Sequence, residues 1–327
     1  MKKINVLSIG NKERGNTMKI ELNKHDRICC LGASIFQNGQ WIAEVFEYFK
    51  EHYPELEIGF YNCGIAGTTS WHALSKDRLY ADCLHLAPKY VVFGFGMNDI
   101  GRHLYVNDDA ETLIKRQERI DQFKDAMTEL LEACKQAGAV PILCSVTPYD
   151  EYNEPDAETT VGLDKGSEKL AYETEKMAAE NNLLFIDMRK ILMKYMDRKP
   201  IGRDRVHPNK LGQHLMAECF LCAIGAKEQE EPDKVIEVQG KSEARFQTEQ
   251  KLRRIMFVER QLMGWQNKEE VYTLAERKEL VRQRLEKDEP EWIKGLLRDY
   301  LDSGDFKEEL RGELVRQTIE MYVPSIQ

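Results

Sequence analysis

The 327-residue sequence has no stretch near the ~18 consecutive apolar residues of a membrane-spanning helix, so no helical membrane span is expected. It also has no excess of positive charge. Lys and Arg number 47 against 56 Asp and Glu, a net charge of −9, which argues against nucleic acid or an anionic membrane surface as the main partner. No internal repeat or low-complexity tract is evident. The eight cysteines lack the paired CxxC spacing of a zinc site. Cys219 and Cys222 form a lone CxxC on an apolar helix face, and Cys29, Cys30 and Cys144 sit in apolar strands, so core packing is the better reading and no metal is expected. Thiols left reduced suit a reducing cytoplasm. Met1 to Gly10 opens with positive charge, but its apolar run is short and Lys12, Glu13 and Arg14 follow, unlike a secretory signal. A cytoplasmic location is therefore expected.

Hydrophobic residues at 42% and charged residues at 31% describe a globular protein with enough apolar material for a full core. The chain is organised around Arg27 to Phe36, a short apolar run that ends in Gly32, Ala33 and Ser34. Such a run reads as a parallel strand covered on both faces. Further strands are expected at 57–61, 90–95, 140–146 and 183–188, alternating with helices at 41–49, to about Leu86, at 108–137, 167–181 and 211–226. This alternation predicts a five-stranded parallel sheet with helices on both faces. Residues 1–25 read as an N-terminal β-hairpin addition, with Met18, Ile20 and Leu22 alternating with polar residues. Residues 1–226 would form this α/β/α domain and 227–242 a charged linker. Residues 243–327 would form an all-helical extension, with helices near 243–264, 267–286, 290–302 and 305–322. So small a helical piece is marginal alone, and its apolar stripes call for packing on the body or on a second subunit.

Ligands in open α/β sheets collect beyond the carboxyl ends of the strands. Ser34, Gly64 and Asn98 lie at three such ends, and Asp204 and His207 precede the last helix of the α/β body. Singly, each has a plain structural reading: Ser34 or Asn98 as a helix cap, Gly64 as a turn, Asp204 and His207 as a loop pair. Together they are the inventory of an acyl-transfer site. A serine needs a neighbouring base, and His207 has an acid three residues earlier to orient it. Backbone N–H groups near Ser34 and Gly64 and the Asn98 amide fit an oxyanion hole, and glycine at 64 would spare the substrate from crowding.

Gly32-Ala33-Ser34-Ile35, Gly64 after Asn62, Gly96-Met97-Asn98-Asp99 and Asp204-Arg205-Val206-His207-Pro208 resemble the four blocks of SGNH (GDSL-type) hydrolases, over about residues 26–224. The resemblance implies a flavodoxin-like fold and ester hydrolysis. Ser34 would be the nucleophile, His207 the base and then the acid, and Asp204 the orienter. The oxyanion hole would comprise Ser34, Gly64 and Asn98, with no metal or organic cofactor. Phe36 where a G-x-S-x-G elbow needs glycine disfavours the α/β-hydrolase fold. One departure stands out: the family usually has aspartate where this chain has Ala33. The resemblance is nearest to the branch acting on acetylated sugars. Trp71, Arg102, Tyr105 and Arg205 are candidate contacts to a polar, ring-bearing small-molecule ester, with surface ion pairs and helix packing as their plain alternatives. A thioesterase or lysophospholipase with a longer acyl pocket, and a weakened ligand-binding relative, are the rival readings.

Overall fold

The computed structural model describes residues 7–9, 20–74, 79–80, 82–154, 157–197, 199–227, 274–288 and 291–302. Strands β3 (Arg27–Gly32), β4 (Gly59–Asn62), β5 (Tyr90–Gly94), β6 (Val140–Cys144) and β7 (Leu184–Ile186) form one sheet. Its five strands run in the order β4-β3-β5-β6-β7, and every pair is parallel. This is the flavodoxin-like order, with its switch point between β3 and β5. A parallel pair needs a crossover, and the crossovers supply the helical layers. The helices are α1 (Ser34–Asn38), α2 (Gln40–His52), α3 (Ser70–Ala73), α4 (Ala110–Gln136), α5 (Leu163–Glu180), α6 (Met188–Met196) and α7 (Lys210–Ala223).

Because successive strand residues face opposite sides, the apolar runs feed two cores. Ile28, Cys30, Val92 and Ile142 pack with Trp41, Phe46, Leu192 and Phe220 of α2, α6 and α7. Cys29, Leu31, Val91, Phe93 and Leu143 pack with Phe123, Met127, Leu130 and Leu170 of α4 and α5. Trp41, Phe46 and Phe220 are all 0% exposed, and truncating such a side chain to alanine costs about 3–5 kcal/mol.

The expected N-terminal hairpin is present in its two strands. β1 (Leu7–Ile9) pairs antiparallel with β2 (Ile20–Leu22) in the register Leu7↔Leu22. The Glu21 backbone joins it to the main sheet by donating to the Tyr90 hydroxyl at 3.1 Å and accepting from it at 2.8 Å. Helices α8 (Leu274–Leu285) and α9 (Glu291–Asp302) fall in the second and third of the four expected C-terminal helices. Lys278 Nζ on α8 donates to the Leu301 carbonyl on α9 at 2.8 Å. The linker beyond Lys227 and the first and fourth expected helices lie outside the described residues.

Two elements differ from the sequence reading. The helix expected to run to about Leu86 is represented by the four-residue α3, by helical residues at 79–80 and 82, and by a 3-10 turn, Leu84–Leu86, with 75–78 and 81 outside the described residues. Helix α5 starts at Leu163, four residues before the expected Ser167. Residues 150–166, polar and containing Pro155, Gly162 and Gly166, read from sequence as a loop, yet Gly162 supplies the left-handed turn before the helix (φ 83°). Gly166 lies within α5 because Tyr105 rests on it: an added Cβ would sit 2.1 Å from the Tyr105 hydroxyl oxygen.

Candidate active site

Ser34 is the first residue of α1, and Ala33, not Ser34, takes the N-cap position without any side-chain cap. The capping reading of this serine therefore fails, and its hydroxyl is left for other work. Its position is fixed by Phe36. An added Cβ on Gly94 would fall 1.9 Å from the Phe36 ring, and one on Gly32 would fall 2.7 Å from it. Two glycines on adjacent strands thus let the ring lie on the sheet, where Trp41 meets it edge-on at 5.0 Å. That packing holds α1 down with Ser34 at the carboxyl end of β3.

His207 Nε2 lies 2.7 Å from Ser34 Oγ, and His207 Nδ1 is hydrogen-bonded to Asp204 Oδ2. Donation from Nδ1 to the carboxylate leaves Nε2 as acceptor for the serine hydroxyl. Asp204 Oδ1 also accepts the backbone N–H groups of Val206 at 3.1 Å and His207 at 2.9 Å. Burial pushes the Asp204 carboxyl up, but the hydrogen bonds from the His207 backbone and ring and from Val206 outweigh it and hold it below the ordinary aspartate value. The carboxylate is therefore ionised at neutral pH.

The loop carrying this pair is held by groups that the sequence reading did not single out. Asp150 is 0% exposed and accepts from the N–H groups of Tyr152, Asn153 and Ile201. Its own N–H donates to the Arg205 carbonyl at 2.9 Å. Gly202 is required where the loop folds on itself, since a Cβ there would stand 2.0 Å from the His207 carbonyl oxygen. Asp164, also buried, takes a two-pronged contact from Arg189 at 2.8 and 2.6 Å and the Tyr149 N–H at 2.8 Å. It anchors the segment after β6 to α5 and α6.

Of the three oxyanion-hole candidates, the Ser34 N–H, at the first turn of α1, has no carbonyl within the helix to meet. The Asn98 amide donates one hydrogen to the Thr68 carbonyl at 2.9 Å and has a second to offer. The Gly64 N–H is 3.0 Å from Asn62 Oδ1. Glycine at 64 is required by packing: a Cβ would lie 2.4 Å from the Gln37 backbone nitrogen of α1. Asp99, beside Asn98 and 0% exposed, accepts from Ser70 N at 2.7 Å, Ser70 Oγ at 2.5 Å and Gly96 N at 2.9 Å. It thereby ties the Asn98 segment to α3. Burial pushes its carboxyl up, against these three hydrogen bonds.

Residues 30–215 match the sequence profile of the GDSL-like lipase/acylhydrolase family. The chain belongs to this family. An acetylxylan esterase of Geobacillus stearothermophilus is 28% identical over 189 residues, 57% of this chain and 80% of that protein. The crystal structure of Axe2, an acetylxylan esterase from the same organism, is similar with a TM-score of 0.53 at 24% identity, covering 64% of this chain and 97% of the other. BT4096, a gut microbial diltiazem-metabolizing enzyme, is similar over 93% of this chain and 96% of its own, with a TM-score of 0.71 at 17% identity. The structural likenesses carry the α/β fold.

Within this GDSL-type site, the four candidate substrate contacts have other partners. Arg205 is 8% exposed, and its guanidinium donates to the carbonyls of Ala157 at 2.7 Å, Asp150 at 2.8 Å and Asn153 at 2.9 Å. It braces the loop from within. Arg102 donates to Thr160 Oγ1, the Tyr149 hydroxyl and the Glu158 carbonyl, and Tyr105 packs on Gly166 with the Arg116 guanidinium 4.1 Å from its ring centre. Trp71 is half-buried, with the Arg119 guanidinium 4.9 Å from its ring centre. A cavity beside the serine is lined instead by Ala33, Ser34, Phe36, Met97, Ser145, Val146, Thr147 and Met188, among others. Within its wall the buried Thr147 hydroxyl has no hydrogen-bond partner among the described residues. With alanine at 33, no carboxyl reaches from the serine segment, and the asparagine segment is held from its other side by Asp99.

Proposed function

We propose that this chain is a serine-dependent carboxylic ester hydrolase that removes short acyl groups, acetyl foremost, from a carbohydrate or similarly polar small molecule. One observation carries the reading: the His207 ring stands between the Ser34 hydroxyl, 2.7 Å away, and the Asp204 carboxylate. In this mechanism His207 Nε2 takes the proton as Ser34 Oγ attacks the ester carbon, and Asp204 stabilises the resulting imidazolium. The imidazolium then protonates the departing alcohol, leaving an acyl-enzyme. Water, deprotonated by His207, releases the acid. On this reading the oxyanion is met by the Ser34 N–H, the second Asn98 N–H and the Gly64 N–H, the last shared with Asn62 Oδ1. Each such donor is worth about 10²–10³ in rate.

The likeness to acetylxylan esterases supports acetylated sugar as the substrate, and the site needs no cofactor for this chemistry. The protein acts in the cytoplasm on this reading. Hydrolysis of p-nitrophenyl acetate by the wild type, abolished in a folded Ser34→Ala variant, is the expected result. Full activity in that variant would overturn the assignment. Rates that rise beyond about eight acyl carbons would transfer it to a thioesterase or lysophospholipase, for which the largely apolar cavity beside Ser34 is the relevant feature.

A further inference from the structure

Three cysteines far apart in the sequence meet on the side of the sheet that packs against α4 and α5. Cys29 lies on β3, Cys63 directly follows β4, and Cys83 precedes the 3-10 turn at Leu84. Their sulfur atoms all lie within 4.8 Å of one another, and no His, Asp or Glu joins them among the described residues. Their exposures are 0%, 2% and 0%. We propose that Cys29, Cys63 and Cys83 form a binding site for a trivalent, sulfur-seeking oxyacid, of which arsenous acid is the probe.

Geometry admits one central atom. Bonds of about 2.3 Å to sulfur place three evenly spaced sulfurs roughly 4 Å apart at most, so closure needs only side-chain shifts of up to about an ångström. Charge then selects the guest. Three thiolates around a monovalent or divalent metal leave a net negative charge in an apolar core, which is costly without a paired cation. Three thiolates around a trivalent centre are neutral. The exchange is neutral throughout: As(OH)₃ and three thiols give As(S–Cys)₃ and three waters. Three As–O and three S–H bonds break, three As–S and three O–H bonds form, and arsenic stays trivalent throughout. Entry requires local opening of a buried site, so binding is slow.

The proposal does not rest on the serine chemistry. Arsenite is added to the reduced full-length protein, followed by dialysis, metal analysis and X-ray absorption at the arsenic edge. One arsenic per chain with three sulfur neighbours and no oxygen is expected, with uptake developing over time. Cys29→Ala, Cys63→Ala and Cys83→Ala should each lose the retained arsenic. A Cys219→Ser/Cys222→Ser double variant should keep it and hydrolyse p-nitrophenyl acetate as the wild type does. Two sulfurs and one oxygen at arsenic, loss of binding only in the Cys219/Cys222 variant, displacement by equimolar zinc, or no uptake would each overturn the proposal. Because the ligand count is read on the wild type, it decides the matter even if a cysteine variant fails to fold.

Discussion

Arg205 separates a substrate contact from a structural brace. Its charged side chain makes three hydrogen bonds to backbone carbonyls of the 150–157 segment, and it sits between Asp204 and His207 in sequence. Arg205→Met keeps the length and apolar stem but leaves three carbonyls without their donor. Hydrogen bonds to a charged group contribute about 1.5–3 kcal/mol each, and an orphaned buried acceptor costs about 1–3 kcal/mol. Water entry and non-additivity reduce the sum, so about 3–5 kcal/mol is expected, or a fall of roughly 10 °C in melting temperature for a chain of this size. Arg205 also holds a left-handed backbone (φ 67°). Arg205→Gly would relieve about 1 kcal/mol of that strain and still be destabilised, which isolates the side-chain contribution. Thermal unfolding and steady-state kinetics on p-nitrophenyl acetate and on an acetylated sugar read the outcome. A structural brace lowers stability and kcat for both esters alike, because His207 is no longer held at Ser34. Unchanged stability together with a raised KM for the sugar alone would refute the reasoning and restore Arg205 as a substrate contact.

Other expectations follow from individual contacts. Asp99→Asn replaces an oxygen that accepts an N–H with an amide that cannot, so at least one buried donor loses its acceptor; a loss of about 1–3 kcal/mol and lower kcat are expected by denaturant unfolding and kinetics, and wild-type values would contradict this. Thr147→Val removes a buried hydroxyl that has no partner among the described residues and should be neutral or stabilising by up to about 1 kcal/mol; clear destabilisation would contradict it. At His214, burial lowers the pKa, but the hydrogen bond and charge of Glu44 more than compensate and raise it above 6.5. With the folded pKa raised, its stabilisation is full below the unfolded value and lost as pH rises through the folded one. Glu44→Gln should remove that alkaline-side decline in a pH series of unfolding curves, and an unaltered pH profile would refute the assignment.

Much of the fold was legible because Ile28 to Leu31 and Tyr90 to Phe93 are unbroken apolar runs, which only a doubly covered parallel strand requires. The candidate site residues stand out for their placement: Ser34 and Asn98 follow such runs, and His207 precedes the last helix of the α/β body with Asp204 three residues earlier. What was missed depends on contacts across the chain. Nothing near Gly166 announces that Tyr105 will lie on it, so a glycine inside a helix passed for a loop. At Gly64 the close approach is to the α1 backbone, a neighbour that no local signal in the sequence announces. Arg205 and Arg102 looked like ligands' partners because guanidinium groups suit both carboxylates and carbonyls. Only the path of the 150–160 segment, which brings three carbonyls to Arg205, separates the two. Nothing local marks Asp150 and Asp164 as buried acids, because their burial depends on segments distant in sequence.

The account turns on whether the Ser34 hydroxyl is activated by His207. Treatment with a fluorophosphonate, followed by peptide mass spectrometry, tests this most directly. Rapid labelling of Ser34 is predicted, lost in His207→Ala and in the unfolded protein. An unlabelled Ser34 in the folded, wild-type chain would contradict the account.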